Sequence, residues 1–239
     1  MVFPSVREGR EPRLRRGRLA AAAIIGVLAL AGGARAAEGA EFNAEVEALA
    51  KAWAHVNYEI PDKHAEGREA ARLATQADAL AERHQDRAEP LMLEAMLLLS
   101  EADTKRDMRG LNLAVKAKWL LDQAEMINPD PFGDGSLYAL IGTLYAQVPG
   151  FPIAYGDEKQ ARRYLAKALA INPTGLDANY FMGDLLLSEG RPAEAIQVLQ
   201  RAMNAPARPG RAVADKGRKG EAAELIAKAR QALAGRKDR

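Results

Sequence analysis

The sequence predicts an all-helical fold built from repeated pairs of antiparallel helices. Three observations carry that expectation. Short motifs recur along the second half at long, regular intervals. Alanine is abundant and aromatic residues make up only 5%, a balance that suits closely packed helices better than sheets. No segment shows the strict apolar–polar alternation of a half-buried strand.

The repeat is clearest near the C-terminal end. Ala161, Leu165 and Ala168 return as Ala195, Leu199 and Ala202, each 34 residues later. Upstream, Ala117, Leu121, Ala124 and Pro129 repeat the spacing of Ala161, Leu165, Ala168 and Pro173. Steps of four and three residues put these side chains on one helix face. Alanine at two of the positions lets a neighbouring helix come close, leucine fills the space between, and proline stops the helix after its last turn. A second helix precedes each of these. Gly142 lies ahead of Ala161, and Gly183 and Gly190 lie ahead of Ala195. Glycine in mid-helix costs about 1 kcal/mol relative to alanine, so it is expected where two backbones nearly touch. Pro192 suits the first turn of a helix, and Asp157 with Gln160 outlines a capping box.

These residues predict helices over 41–58, 63–83, 89–105, 110–126, 136–147, 158–170, 176–188, 192–204 and 219–234. The domain organisation expected is a leader at 1–36, an N-terminal helix within 37–62, a repeat array over 63–206, and a capping helix with a basic tail over 207–239. The last helix is expected to show solvent a charged face of Lys216, Arg218, Lys219, Glu221, Lys228 and Arg230. The basic stretches around Arg208–Arg211 and Lys216–Gly220 read as solvated surface.

The first 36 residues read as a secretory leader. Arginines up to Arg18 precede an apolar run, Leu19 to Ala31, and small residues at Ala34 and Ala36 mark a cleavage site. The run is shorter than the roughly 20 residues that span a bilayer. The leader holds seven arginines and two acids, so the rest of the chain has 27 basic and 30 acidic residues, a net charge near −3. That balance gives no attraction to nucleic acid. With no cysteine, the chain has no disulfide, thiolate metal site or cysteine nucleophile.

The pattern of Gly183, Leu186, Gly190, Ala195, Leu199 and Ala202 resembles the tetratricopeptide repeat, a 34-residue helix–turn–helix unit. The resemblance is strongest over Met182–Ala205. It continues over Tyr138–Pro173 with an insertion, covers the second helix of Leu93–Pro129, and reaches faintly to Ala70, Ala74 and Ala77. It implies a right-handed superhelical solenoid whose concave face is lined by the first helix of each pair. In that register the concave positions are Asp177, Tyr180, Asp184, Leu187 and Ser188 in one unit. In the next they are Ser136, Ala139, Thr143, Ala146 and Gln147, and in the third Glu89, Met92, Met96, Leu99 and Ser100. Of these, Asp177, Tyr180, Asp184, Leu187, Thr143 and Gln147 are the candidate partner-binding residues. Mixed polar and apolar side chains suit a peptide or a helix better than a phosphate. Met92, Met96 and Leu99 equally suit packing against a neighbouring helix.

Gly142 and Ala161 are 19 residues apart, where Gly183 and Ala195 are 12 apart. The seven extra residues fall in the stretch from Gln147 to Asp157. This loop is stiffened by Pro149 and Pro152 and carries Phe151, Ile153 and Tyr155. Two readings stand: the loop folds back on its own helices, or Phe151 and Tyr155 overhang the concave face and touch a ligand. The leader, the insertion and the repeats together are similar to periplasmic helical-repeat proteins that accompany solute-binding-protein-dependent transporters, the TRAP T-component family. That likeness, chiefly over Ser136–Ala205, implies association with a solute-binding protein.

Catalytic and metal chemistry find no pattern here. His55, His64 and His84 form no zinc motif, and no nucleophile elbow or phosphate-binding glycine loop is present. Trp53, Val56 and Ile60 read as an apolar helix face, and Trp119 as core or groove wall. The expectation is a non-catalytic adaptor without metal or cofactor that binds a protein or peptide partner in the cell envelope. The alternative is an accessory of solute uptake that holds a small molecule or a solute-binding protein.

Overall fold

The structure, a computed structural model, describes residues 17–105 and 107–237, with side chains from Ala37 to Gly235. The described residues form nine helices: α1 (Gly17–Glu59), α2 (Lys63–Arg83), α3 (Glu89–Asp103), α4 (Met108–Ile127), α5 (Ser136–Gln147), α6 (Glu158–Ile171), α7 (Leu176–Ser188), α8 (Pro192–Met203) and α9 (Ala212–Lys237). The expected bounds of α2, α5 and α7 coincide with those observed. The first and last helices are longer than predicted, because alanine-rich flanks carry the helix on where no proline stops it. The leader expected at 1–36 lies outside the described side chains. Among the described residues no helix is long and apolar enough to cross a membrane.

The chain divides into two compact units, Met1–Glu45 and Val46–Arg239. The described part of the first is the opening stretch of α1. The second holds the hairpins α3–α4, α5–α6 and α7–α8, with α2 against α3 and α9 against α8 and α7. Local chemistry sets the helix starts. The Asp62 carboxylate accepts from the Ala65 amide at 2.7 Å. Asp107 accepts from the Arg109 amide, and Asp157 from the amides of Lys159 and Gln160. Gly190 (φ +72°) ends α7 in a left-handed conformation that glycine adopts without strain. Its amide and that of Arg191 reach back to the carbonyls of Leu187 and Leu186.

The repeat residues are the core. Ala117, Leu121, Ala124, Ala161, Leu165, Ala168, Ala195, Leu199 and Ala202 are all fully buried. The mid-helix glycines sit at the closest approaches. A Cβ on Gly183 would lie 2.5 Å from Cγ of Leu199, and one on Gly142 would lie 2.8 Å from Cγ of Leu165. The same glycine-over-leucine contact is thus made in two successive hairpins. Asn179, buried between them, donates to the carbonyls of Pro173 and Gly175 and accepts from Arg201 Nε. Both ends of its amide are thereby engaged in holding the inter-repeat turn.

Two expectations are corrected. Trp119 is neither core nor groove wall: it is 58% exposed on the outer face of α4. The last helix does not present all its charges to solvent. The side chains of Arg218 and Glu221 turn inward, and Lys219 donates from Nζ to the Ala205 carbonyl. The partners that draw Arg218 in lie on α7, far away in sequence.

Candidate functional site: a roofed cavity on the concave face

The first helices of the three hairpins contribute one wall each to a single cavity of about 660 Å³. α3 brings Met92, Met96, Leu99 and Ser100; α5 brings Ser136, Ala139, Leu140, Thr143 and Gln147; α7 brings Asp177, Tyr180 and Phe181. The opposite side is formed by Trp53, Asn57 and Tyr58 of α1, by Arg208 and Arg211, and by Arg218 and Glu221 of α9. α1 is fastened to α3 where Trp53 Nε1 donates to Ser100 Oγ at 3.1 Å. α1 and α9 meet at Tyr58, whose ring would lie 2.2 Å from a Cβ on Gly217. The concave face is therefore a roofed chamber and not the open groove that the repeats alone imply.

One end of the chamber is held by a compact ion-pair cluster. Asp177 accepts from Arg218 Nε at 2.9 Å and from an Arg208 guanidinium nitrogen at 2.6 Å. Arg208 also grips Asp215, through Nε at 2.7 Å and through its backbone amide at 2.8 Å. Arg218 pairs in addition with Glu221 and lies over the rings of Tyr180 and Phe181, 4.6 and 4.7 Å from their centroids. Burial alone pushes the Asp177 carboxyl up, but Arg218 and Arg208 outweigh it and hold the group below its ordinary value. Burial dominates at Glu221, whose carboxyl is raised in spite of Arg218. It also dominates at Tyr180, whose hydroxyl is pushed up to about 12.

Two hydroxyls in the chamber wall, Tyr58 Oη and Ser136 Oγ, are buried and have no hydrogen-bond partner among the described residues. A buried hydroxyl left unpaired costs free energy, so both are local weak points in the packing of the chamber wall. Arg211, in the same wall, has no ion pair among the described residues and lies over the Phe132 ring at 5.2 Å.

Of the six candidate partner-binding residues named from sequence, the structure brings Thr143, Gln147, Asp177 and Tyr180 together around the chamber. Asp184 and Leu187 are not among its lining residues. α9 turns back over that end of α7, so Asp184 faces Lys228 and Gln147, and Leu187 packs on the core. Asp177 lines the chamber with its carboxylate already spent on two arginines. Sequence reading missed Trp53, Tyr58, Arg208 and Arg218 as chamber residues. The arginines offered one signal, their place within and just before a cap helix, and that reads as solvated charge.

The inserted loop divides. Tyr155 folds back, its hydroxyl donating to the Ala114 carbonyl at 2.9 Å and its ring edge-on to Tyr145. Phe151 stays 93% exposed, and neither residue lines the chamber. Tyr155→Phe is expected to lower stability by about 1 kcal/mol. Phe151→Ala should leave it within about 0.5 kcal/mol of wild type. Thermal melts of the two variants check both values.

Among the described residues, no group of three or more histidine, aspartate or glutamate side chains is placed to hold a metal ion. His55 pairs with Glu59 on the surface.

Residues 153–215 match the family described as tetratricopeptide repeat. Among solved structures, the chain is similar to TTC0263, a thermophilic repeat protein of that type from Thermus thermophilus. The two share 21% identity over 72% of this chain and 82% of that one, with a TM-score of 0.50. A likeness to MamA is weaker, at 18% identity over 75% of this chain and 98% of that one, with a TM-score of 0.37. No curated protein matches the sequence.

Proposed function

Because the chain is a tetratricopeptide-repeat protein, we propose that it is a non-catalytic scaffold whose concave chamber takes a short segment of a protein partner. One observation carries this reading: α3, α5 and α7, the helices that face inward in each hairpin, converge on one chamber of about 660 Å³. That volume lies in the range of specific ligand pockets. It accepts a chain end or a tight loop of the partner, not a long helix. Apolar contacts come from Met92, Met96, Leu99 and Leu140, and polar ones from Gln147, Asn57 and Arg211. The leader-like sequence of the first 36 residues supports a place in the cell envelope after cleavage behind Ala36.

The test is affinity capture from native envelope extract with wild type and with Leu140→Trp, a variant that fills the chamber from α5. Leu140 is half-buried, so the larger ring has room to turn into the open space. The expected result is a partner retained by wild type and depleted at least tenfold by the variant, with unchanged melting. Equal recovery by both proteins contradicts the reading. The roofed shape and the mixed apolar and polar lining favour a second occupant of the same chamber, a small amphipathic molecule. Native mass spectrometry separates the two, since a retained small mass belongs only to the second. Recovery of a solute-binding protein in the capture identifies the partner with the uptake role.

A further inference from the structure

α4 is apolar on two opposite faces. One face, with Ala114, Ala117, Leu121 and Ala124, is buried in the repeat core. The other carries Met108, Val115, Trp119 and Met126, which are 65%, 47%, 58% and 71% exposed. Their spacings of seven, four and seven residues keep all four within roughly 20° of one line along the helix, over about 27 Å. A helix apolar on both faces is normally covered on both.

The repeats supply an internal comparison. Aligned on Ala117, Ala161 and Ala195, the positions of Val115 and Trp119 in α4 hold Lys159 and Arg163 in α6, and Ala193 and Gln197 in α8. All four of those equivalents are exposed. This lattice position faces water in the other two hairpins and is filled accordingly. Only α4 fills it with large apolar side chains.

We propose that this stripe is the contact by which two copies of the chain pair, with their α4 helices antiparallel about a two-fold axis. The spacing argues for a second copy over other occupants. A two-fold contact must be self-complementary: if one residue faces another, the reverse must also hold. The seven–four–seven spacing reads the same in both directions. With the axis midway between Val115 and Trp119, each Met108 lies opposite Met126 of the partner subunit and each Val115 opposite Trp119 of the partner subunit. An unrelated partner imposes no such symmetry. A lipid surface is disfavoured because, among the described residues, the cations flanking the stripe are paired: Arg109 with Asp107 at 2.7 Å, Lys116 with Glu94 at 2.7 Å and Lys118 with Asp122 at 2.6 Å. None of these three side chains is left unpaired beside the stripe for anionic headgroups.

The strip is narrower than a standard interface, so the pairing belongs to the weak class. Sedimentation of the purified protein over roughly 1–200 μM is the test. The expected result is a mass that doubles across that range. Val115→Lys with Trp119→Arg should stay monomeric at every concentration with unchanged melting, since α6 carries those residues at the same positions. Because the chain has no cysteine, an equimolar mixture of Val115→Cys and Trp119→Cys proteins should oxidise mainly to the mixed disulfide. Wild type that remains monomeric overturns the proposal, including when it binds phosphatidylcholine–phosphatidylglycerol vesicles or another protein through this stripe. So does a variant that still dimerises, or a Val115→Cys homodisulfide as the main product.

Discussion

Replacing Arg218 by methionine is expected to lower the melting temperature by about 6–12 °C. The Arg218 side chain is only 12% exposed and its guanidinium serves Asp177 and Glu221 at once. Removing one member of a buried pair costs about 3 kcal/mol, because the carboxylates left behind have lost water as well as partner. For a chain of this size each kcal/mol moves the midpoint by about 2–4 °C. Methionine keeps the bulk over Tyr180 and Phe181 and removes the charge. The double variant Asp177→Asn, Arg218→Met should lose less than the two single losses added together, since each single change strands the other's charge. The pH dependence has a definite sign. Asp177 is held below its ordinary value, so its contribution is full above the unfolded value, near 3.9. That contribution is lost as pH falls through the lower folded value. Asp184 and Glu221, raised by burial, act in the opposite sense. The Asp177 contribution is therefore read from the difference between wild type and Asp177→Asn in melts taken below about pH 5, and that difference should shrink as the acid limit is approached.

Leu199→Ala should cost about 3 kcal/mol, and Gly183→Ala about 1–3 kcal/mol for the opposite reason. Leu199 is fully buried directly over Gly183. Truncating it leaves a void, whereas a methyl at Gly183 drives into its Cγ. In the double variant the new methyl occupies part of the space the leucine vacated. The combined loss should then fall short of the sum by about 1 kcal/mol or more, measured by denaturant unfolding. Strict additivity would mean that the two residues do not share the contact on which the hairpin rests.

This glycine–leucine pair also shows what the sequence made legible. A glycine in mid-helix is costly, and its recurrence ahead of an Ala–Leu–Ala face announced a close helix crossing before any coordinates. Part of the concave set of α5 and α7 followed from that register: Thr143, Gln147, Asp177 and Tyr180 line one chamber, whereas Asp184 and Leu187, named from the same register, do not. The roof was not legible. Arg218 reaches Asp177 across 41 residues and Arg208 reaches it across 31. No local pattern separates an arginine bound for such a partner from one bound for water. α9 carried its polar residues in the order of a capping helix, and the turn that lays it back over Asp184 is a property of the packing. The inserted loop failed as a guide for a related reason. Apolar residues argue for burial on average, but Tyr155 found a carbonyl to anchor it, and Phe151 was left outside. Trp119 misled through the same average: its repeat equivalents, Arg163 and Gln197, were the better indicator that this side of the hairpin faces out.

The chamber's role is best examined by placing a reactive group inside it. The chain lacks cysteine, so Met96→Cys and Arg163→Cys each give one labelling position, the first in the chamber wall and the second on the exposed outer side of α6. With a benzophenone maleimide on that cysteine and illumination in native envelope extract, the chamber position should capture one partner that the outer position does not. Capture of the same partner from Arg163→Cys alone, with none from Met96→Cys, would place recognition on the outer face and contradict the chamber as the binding surface.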